Sequence, residues 1–185
     1  DTAKGNTAWT IGLSYDQGPI YVGFAYTDVK ATNDGATAAD GLVAGVKKAE
    51  DTRLGAVYNV GQGTIGVLWD QSKYSATAGG DSKTNVYFIP FTFNVGTGKI
   101  IAQYGHAGNI SGTSNTGAKM FEVGYEYSLS KRTIVKALYS SISNEENATY
   151  DFLYGVSQPN STGTGAGVSA GADPRGVSIG IRHSF

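Results

Sequence analysis

The fold class this sequence predicts is an all-β, antiparallel up-and-down barrel that crosses a membrane with its strands, and three observations carry that reading. The first is composition: 185 residues hold 27 glycines, 12 tyrosines and 7 phenylalanines against 4 prolines, and only 16% are charged. Such a mix suits many strands joined by turns and suits helices badly. The second is the closing stretch, Pro174 to Phe185, where Val177, Ile179, Ile181, His183 and Phe185 fall on one face and Ser178, Gly180, Arg182 and Ser184 on the other. In a soluble sheet the oily face is buried; in a membrane barrel it meets lipid, and the small polar face lines a wet interior. The third is the connections, which alternate short and long along the whole chain. Transmembrane barrels have short turns at one end and long loops at the other, a regularity that a soluble sandwich does not need.

Taken in order, Asp1 to Asn6 reads as the end of a loop. Trp9, Ile11, Leu13 and Tyr15 then alternate with Thr10, Gly12 and Ser14 as a first strand, Gln17-Gly18 turns the chain, and Ile20, Val22, Phe24 and Tyr26 share one face of a second. From Val29 to Asp51 the pattern dissolves into a long polar loop. A third strand carries Leu54, Ala56 and Tyr58, and a fourth Ile65, Val67 and Trp69, with a turn at Gly61-Gln62-Gly63 between them. After a polar loop from Gln71 to Ser82, the fifth strand puts Tyr87, Ile89, Phe91 and Phe93 on one face. Pro90 lies on the other face, where it cannot donate to the ladder, and predicts a bulge. The sixth strand, Lys99 to His106, alternates poorly. The seventh alternates best, with Phe121, Val123, Tyr125 and Tyr127 against Glu122, Gly124 and Glu126. Leu129 to Arg132 turns into an eighth strand with Val135, Ala137 and Tyr139 on one face, and a loop rich in Gly, Ser, Thr and Asn leads to the closing strand. Nine strands result. Tyr15, Tyr26, Tyr58, Tyr125, Tyr127 and Tyr139 lie near strand ends, which suits anchoring at membrane interfaces.

Several function classes fall away. A formal net charge of -1 offers no basic surface for nucleic acid. Cysteine is absent, so disulfides and thiolate metal sites are excluded. The only histidines are His106 and His183, and a zinc site would have to draw its other ligands from carboxylates. Gly61-Gln62-Gly63-Thr64-Ile65-Gly66 matches the dinucleotide fingerprint, but a strand and not a helix follows it, so it reads as a hairpin turn. Glu122 and Glu126 lie four residues apart on one strand face, about 13 Å by strand rise, too far to share a bond as an acid/base pair. No catalytic site, cofactor or metal is expected. No apolar run approaches the roughly 20 residues that a membrane helix needs, while a membrane strand needs only about 10 alternating residues. No signal peptide precedes Asp1, which reads as a processed chain or a piece of one.

The stretch GADPRGVSIGIRHSF from Gly171 resembles the closing strand of the general porins of Gram-negative outer membranes, the beta-proteobacterial ones in particular. TAWTIGLSYDQGPIYVGFAY at 7 to 26, RLGAVYNVGQGTIGVLW at 53 to 69 and FEVGYEYSLSKRTIVKALYS at 121 to 140 extend the resemblance over nearly all the strands. The resemblance implies a sixteen-stranded barrel of which residues 1–185 form the C-terminal part, the last nine strands of a single domain. It also implies an outer-membrane location, a homotrimer, and Phe185 as the signal read by the barrel-assembly machinery, with lipid and lipopolysaccharide as neighbours. An inward-folded constriction loop follows the fifth strand of the family's barrel and would lie upstream of residue 1. The implied activity is passive diffusion of small hydrophilic solutes and ions, with no reaction and no energy coupling.

Within that reading the informative charges are those on the small polar face: Arg53, Asp70, Lys99, Glu122, Glu126, Lys136 and Arg182. An Arg or Lys facing lipid at mid-depth costs about 2 to 4 kcal/mol, so these side chains belong on the wet side and are the expected pore-lining set. Glu126 and Lys136 flank one short turn and are expected to be neighbours across the hairpin. Two other readings of the same residues stand beside the channel: a small complete barrel of about eight strands with a structural or adhesive role, and a soluble β-sandwich binding module.

Overall fold

The structure is a computed structural model that describes residues 7–30, 46–76, 80–152 and 168–185. Nine strands run through them: β1 (Thr7–Gln17), β2 (Ile20–Lys30), β3 (Val46–Asn59), β4 (Gly63–Ala76), β5 (Ser82–Val95), β6 (Gly98–Ala107), β7 (Ala118–Ser130), β8 (Thr133–Asn144) and β9 (Arg175–His183). They form one antiparallel sheet in sequence order, with β1 and β9 as its edges. The expected opening loop, Asp1 to Asn6, lies outside the described residues, as does 31–45, most of the long connection after β2.

Each short turn has its own local cause. Gly18, Gly61 and Gly96 sit at positive φ in three of them, the conformation that a tight hairpin requires. Gly61 places the dinucleotide-like stretch in the β3–β4 hairpin. The fourth turn has no such glycine. There Ser130 Oγ accepts from the Arg132 amide at 3.1 Å and donates to Thr133 Oγ1 at 3.2 Å, beside a register shift between Ser128 and Ser130.

Several strands run further towards the long loops than their apolar alternation does. β3 starts at Val46 and β4 continues to Ala76, within stretches that read as loop. Their extensions are held by polar pairs: Lys48 Nζ lies 2.9 Å from Asp28 and 2.8 Å from Glu50, and the Tyr26 hydroxyl donates to Glu50 at 2.7 Å. Where both faces of a strand are polar, hydropathy has no period to show, although the ladder continues. The expected bulge at Pro90 is not there. The β4–β5 register continues from Ile65↔Phe91 to Leu68↔Phe88 without a shift, and only the intervening pairs drop out of the ladder. Gly66 is opposite Pro90 in that register, and a Cβ on it would lie 3.1 Å from Pro90 Cγ, so the missing side chain leaves room for the ring. The irregularities lie elsewhere, at Val46/Lys48 and Ser128/Ser130.

The apolar side chains of the strands do not meet one another in a dry interior. Val177, Ile179 and Ile181 are 72%, 77% and 70% exposed, and Phe121 and Tyr125 of β7 are exposed as well. Along β7 the apolar residues are exposed while Glu122, Gly124 and Glu126 between them are half-buried. Among the described residues the buried apolar side chains are Ala107, Ala118, Ile142 and Ala148. Three are alanines, so no sandwich core lies between two layers. The closing strand ends at His183; Ser184 keeps one backbone bond, from its amide to the Arg132 carbonyl at 2.9 Å, and Phe185 is fully exposed with its ring edge-on to His183 at 4.8 Å. The final two residues therefore stand outside the ladder that was expected to include them.

Candidate functional site

Residues that oppose one another across antiparallel strands project to the same side, so the ladder sorts every strand residue onto one of two faces. On the apolar face, the first large apolar residue met from the long-loop end is Trp9, Tyr26, Leu54, Trp69, Tyr87, Tyr104, Phe121, Tyr139 and Val177 on β1 to β9 in turn. Seven of the nine are aromatic. The next residue outward on the same face is polar on every strand: Thr7, Asp28, Thr52, Gln71, Asn85, His106, Lys119, Ser141 and Arg175. This is a sharp edge, and it lies obliquely to the ladder. Trp9 opposes Asp28 and not Tyr26, Tyr26 opposes Thr52, Tyr87 opposes His106 and Phe121 opposes Ser141, so the edge steps two residues towards the turns at four junctions and stays level at the other four. At about 3.3 Å per residue and about 4.8 Å per strand, that is about 26 Å of drop over about 38 Å, a tilt of about 35°. Strands that close into a membrane barrel tilt by about 35–45°.

All seven charged residues expected on the wet side share the opposite face. Arg53 opposes Asp70, Lys99 opposes Glu126, Glu126 opposes Lys136, Glu122 opposes Ser140, and Arg182 opposes Ile134. Arg53 Nε pairs with Asp70 Oδ2 and lies 3.1 Å from Asp51 Oδ1, while Ser72 Oγ donates to Asp51 at 3.2 Å. Asp51 belongs to this group and was missed, because the polar stretch before Arg53 reads as loop. Glu122 accepts from Ser140 Oγ at 2.7 Å. The expected neighbour relation of Glu126 and Lys136 holds in the register, but the ion pair of Glu126 goes to Lys99 at 3.1 Å. Lys99 comes from β6, the strand on the other side of β7. No ion pair engages Lys136 or Arg182 among the described residues. Those two side chains, Glu126 and Gly180 line a niche of about 100 Å³.

The loop end of the polar face is partly covered. Glu145 and Asn147 donate backbone bonds to Gly117 and Asn115 at 2.9 and 2.8 Å, and Asn144 exchanges side-chain bonds with the backbone of Tyr150 at 2.9 and 3.0 Å. This fastens residues 144–152 over Ala107, Ala118 and Ile142. Beside them Val86, Phe88, Met120 and Tyr150 line a recess of about 350 Å³. Burial there pushes the Tyr150 phenol above its usual range. No group of His, Asp and Glu side chains suited to hold a metal ion gathers among the described residues.

Comparison with known proteins agrees with this architecture. The family model described as Gram-negative porin matches residues 1–147. Outer membrane porin protein 32 of Delftia acidovorans is 31% identical over 174 residues, which are 94% of this chain and 45% of that protein. Among solved structures, the anion-selective porin from Comamonas acidovorans superposes with a TM-score of 0.73 at 27% identity, over 94% of this chain and 48% of that one. OmpT, an outer membrane protein of Vibrio cholerae, superposes with a TM-score of 0.67 at 16% identity, over 96% of this chain and 55% of its own, a likeness of fold. The chain spans about half the length of the relatives it matches. Nine antiparallel strands in sequence order, an uncovered apolar face edged with aromatics, and a family match over most of the chain lead to one conclusion: this chain belongs to the Gram-negative porin family, and its β-barrel fold and outer-membrane location are that family's.

Proposed function

We propose that the protein is a passive diffusion channel for small hydrophilic solutes and ions, and that residues 1–185 supply the last nine strands of a sixteen-stranded barrel domain. In this reading the apolar face meets lipid and the polar face lines water, so Arg53, Asp70, Lys99, Glu122, Glu126, Lys136 and Arg182 are pore-lining residues, with Asp51 added to them. The oblique aromatic edge carries the reading, because a membrane surface must cut tilted strands at one depth and a solvated soluble sheet has no reason to change polarity along such a line. The role of Phe185 as an assembly signal rests on the family. The homotrimer and the contact with lipopolysaccharide rest on the family alone. The test is reconstitution of the full-length protein in a planar bilayer: stepwise ohmic conductance is expected, and a protein that inserts, shifts its gel mobility on heating and yet conducts nothing overturns the channel.

A further inference from the structure

The charges of the polar face are not spread evenly over its height. Measured along each strand from the aromatic edge, Arg53 and Asp70 stand beside Leu54 and Trp69, Glu122 beside Phe121, and Asp51 three residues further towards the loops. Lys99, Glu126 and Arg182 each lie five residues turnward of the edge on their own strand, and Lys136 three. With strand rise and tilt included, the two groups are separated by roughly 15 Å of depth. The loop-side tier holds three carboxylates and one guanidinium. The turn-side tier on β6 to β9 holds three cations and one carboxylate, and that carboxylate is taken by Lys99. Asp16, the other turn-side carboxylate on this face, is on β1, far across the sheet.

The turn-side cations form a built arrangement. Lys136 opposes Gly180 and Arg182 opposes Ile134, which makes Lys136 and Arg182 diagonal neighbours on one face, about 7–8 Å apart at Cα. Gly180 between them has no side chain, and the Lys136 stem lies over it, since a Cβ there would be 3.8 Å from Lys136 Cγ and Cε. The two cationic side chains thus line the niche of about 100 Å³ together with Glu126, whose carboxylate is held by Lys99, and the niche is large enough for a carboxylate or a halide. Next to them the β7–β8 turn is Lys131-Arg132, which adds positive charge at the same end. A guanidinium can present paired N–H donors to an oxyanion while the ammonium supplies a mobile point charge.

We propose that Lys136 and Arg182 form a binding station for the anionic group of a transiting solute at the turn-side end of the pore, opposed along the axis by the carboxylate tier around Asp51, Asp70 and Glu122. A solute carrying both charges, such as a zwitterion, would travel with its anionic end towards the turns. The inference rests on the channel reading and is tested with the full-length protein in planar bilayers. Reversal potentials are taken in a potassium chloride gradient, and conductance is followed against potassium acetate concentration. The Lys136→Gln/Arg182→Gln variant is expected to lower the anion-to-cation permeability ratio at least about twofold and to raise the acetate concentration of half-saturation. The Asp70→Asn/Glu122→Gln variant is expected to move the ratio the opposite way. Heat-dependent gel mobility verifies that each variant folds. A conducting wild type whose ratio and saturation are unchanged by Lys136→Gln/Arg182→Gln overturns the station alone, whereas a folded wild type that does not conduct overturns the channel beneath it.

Discussion

Tilt makes residues that are level in the ladder unequal in depth, and arginine substitution can measure the difference. Val22 and Ser141 lie in one register row, through Ala56, Val67, Ile89, Tyr104 and Phe121, with Val67 level with Ile89 by the unshifted β4–β5 register. Val22 is four residues turnward of the edge residue Tyr26, and Ser141 is two residues loopward of Tyr139. Four residues at about 3.3 Å, foreshortened by a tilt of about 35°, place Val22 about 11 Å below the edge. That is inside the apolar band, with Phe24 and Ile20 on either side of it on the same face. Val22→Arg is therefore expected to destabilise the barrel by about 2–4 kcal/mol, and Ser141→Arg by about 0–1 kcal/mol. Ser14, on the polar face of β1 beside Leu13 and Tyr15, is at similar depth and opposes Gly23. Ser14→Arg is expected to stay within about 0.5 kcal/mol, because in the proposed channel its face lines water. The assay is equilibrium folding of the full-length protein from urea into phosphatidylcholine vesicles, read by gel mobility and tryptophan fluorescence. Equal costs for Val22→Arg and Ser141→Arg would refute the oblique membrane edge, and a Ser14→Arg cost as large as that of Val22→Arg would refute the assignment of the two faces.

The same edge holds both tryptophans of this chain, Trp9 and Trp69, the former 5.2 Å from the ring of Tyr26. In vesicles their emission is expected to be quenched more by lipids brominated near the headgroup than by lipids brominated near the chain ends; the reverse order would put the edge at the wrong depth. On the polar face, a Cβ on Gly124 would overlap Leu138 Cδ2 and come within 2.5 Å of the Ala137 carbonyl oxygen. Gly124→Ala is accordingly expected to cost about 1–3 kcal/mol in the folding assay, through overpacking that the backbone carbonyl cannot relieve. Gly12→Ala, where the nearest atom would be the Phe24 carbonyl oxygen at 3.8 Å, is the comparison and is expected to be close to neutral. A Gly124→Ala barrel as stable as the Gly12→Ala one would show that β8 moves aside freely.

Much of the wall was legible in the sequence because one physical signal, the period of two, operates wherever one strand face is apolar. It identified all nine strands and put the seven charged residues on a single side, down to Arg182 near the end of the closing strand. Where that contrast ends, so does the signal. Lys48 to Thr52 and Gln71 to Ser75 continue the ladder of Leu54 and Trp69 without a break, yet Lys48, Glu50, Asp51 and Lys73 give both faces the same polarity. Asp51, the partner of Arg53 on the polar face, went unread for that reason. Pro90 misled in the other direction. The bond that Pro90 cannot donate is absorbed by a short gap in the β4–β5 ladder with no shift of register, and Gly66 opposite leaves room for the ring. The ion pairing of Glu126 shows the same limit: sequence proximity favours the hairpin partner Lys136, whereas β6 offers an equally close cation that no local pattern announces.

The tilt could not be read from any strand singly, because it is a property of how strands are offset and not of what each contains. Trp9 and Val177 each mark where their own strand enters the apolar band, and neither carries information about the other. Only when the register links them does the edge emerge as a line that drops two residues at every second junction on average. The selection that sets it is collective: a residue moved from one side of the line to the other changes environment even though its ladder partners do not. The same reasoning applies to the charges within. Counted strand by strand, four cations and three carboxylates cancel almost fully and suggest an indifferent wall. Placed at their depths relative to the edge, with Asp51 included, they separate into an acidic level and a basic one, and in the proposed channel the field along the axis follows from that separation more than from the sum.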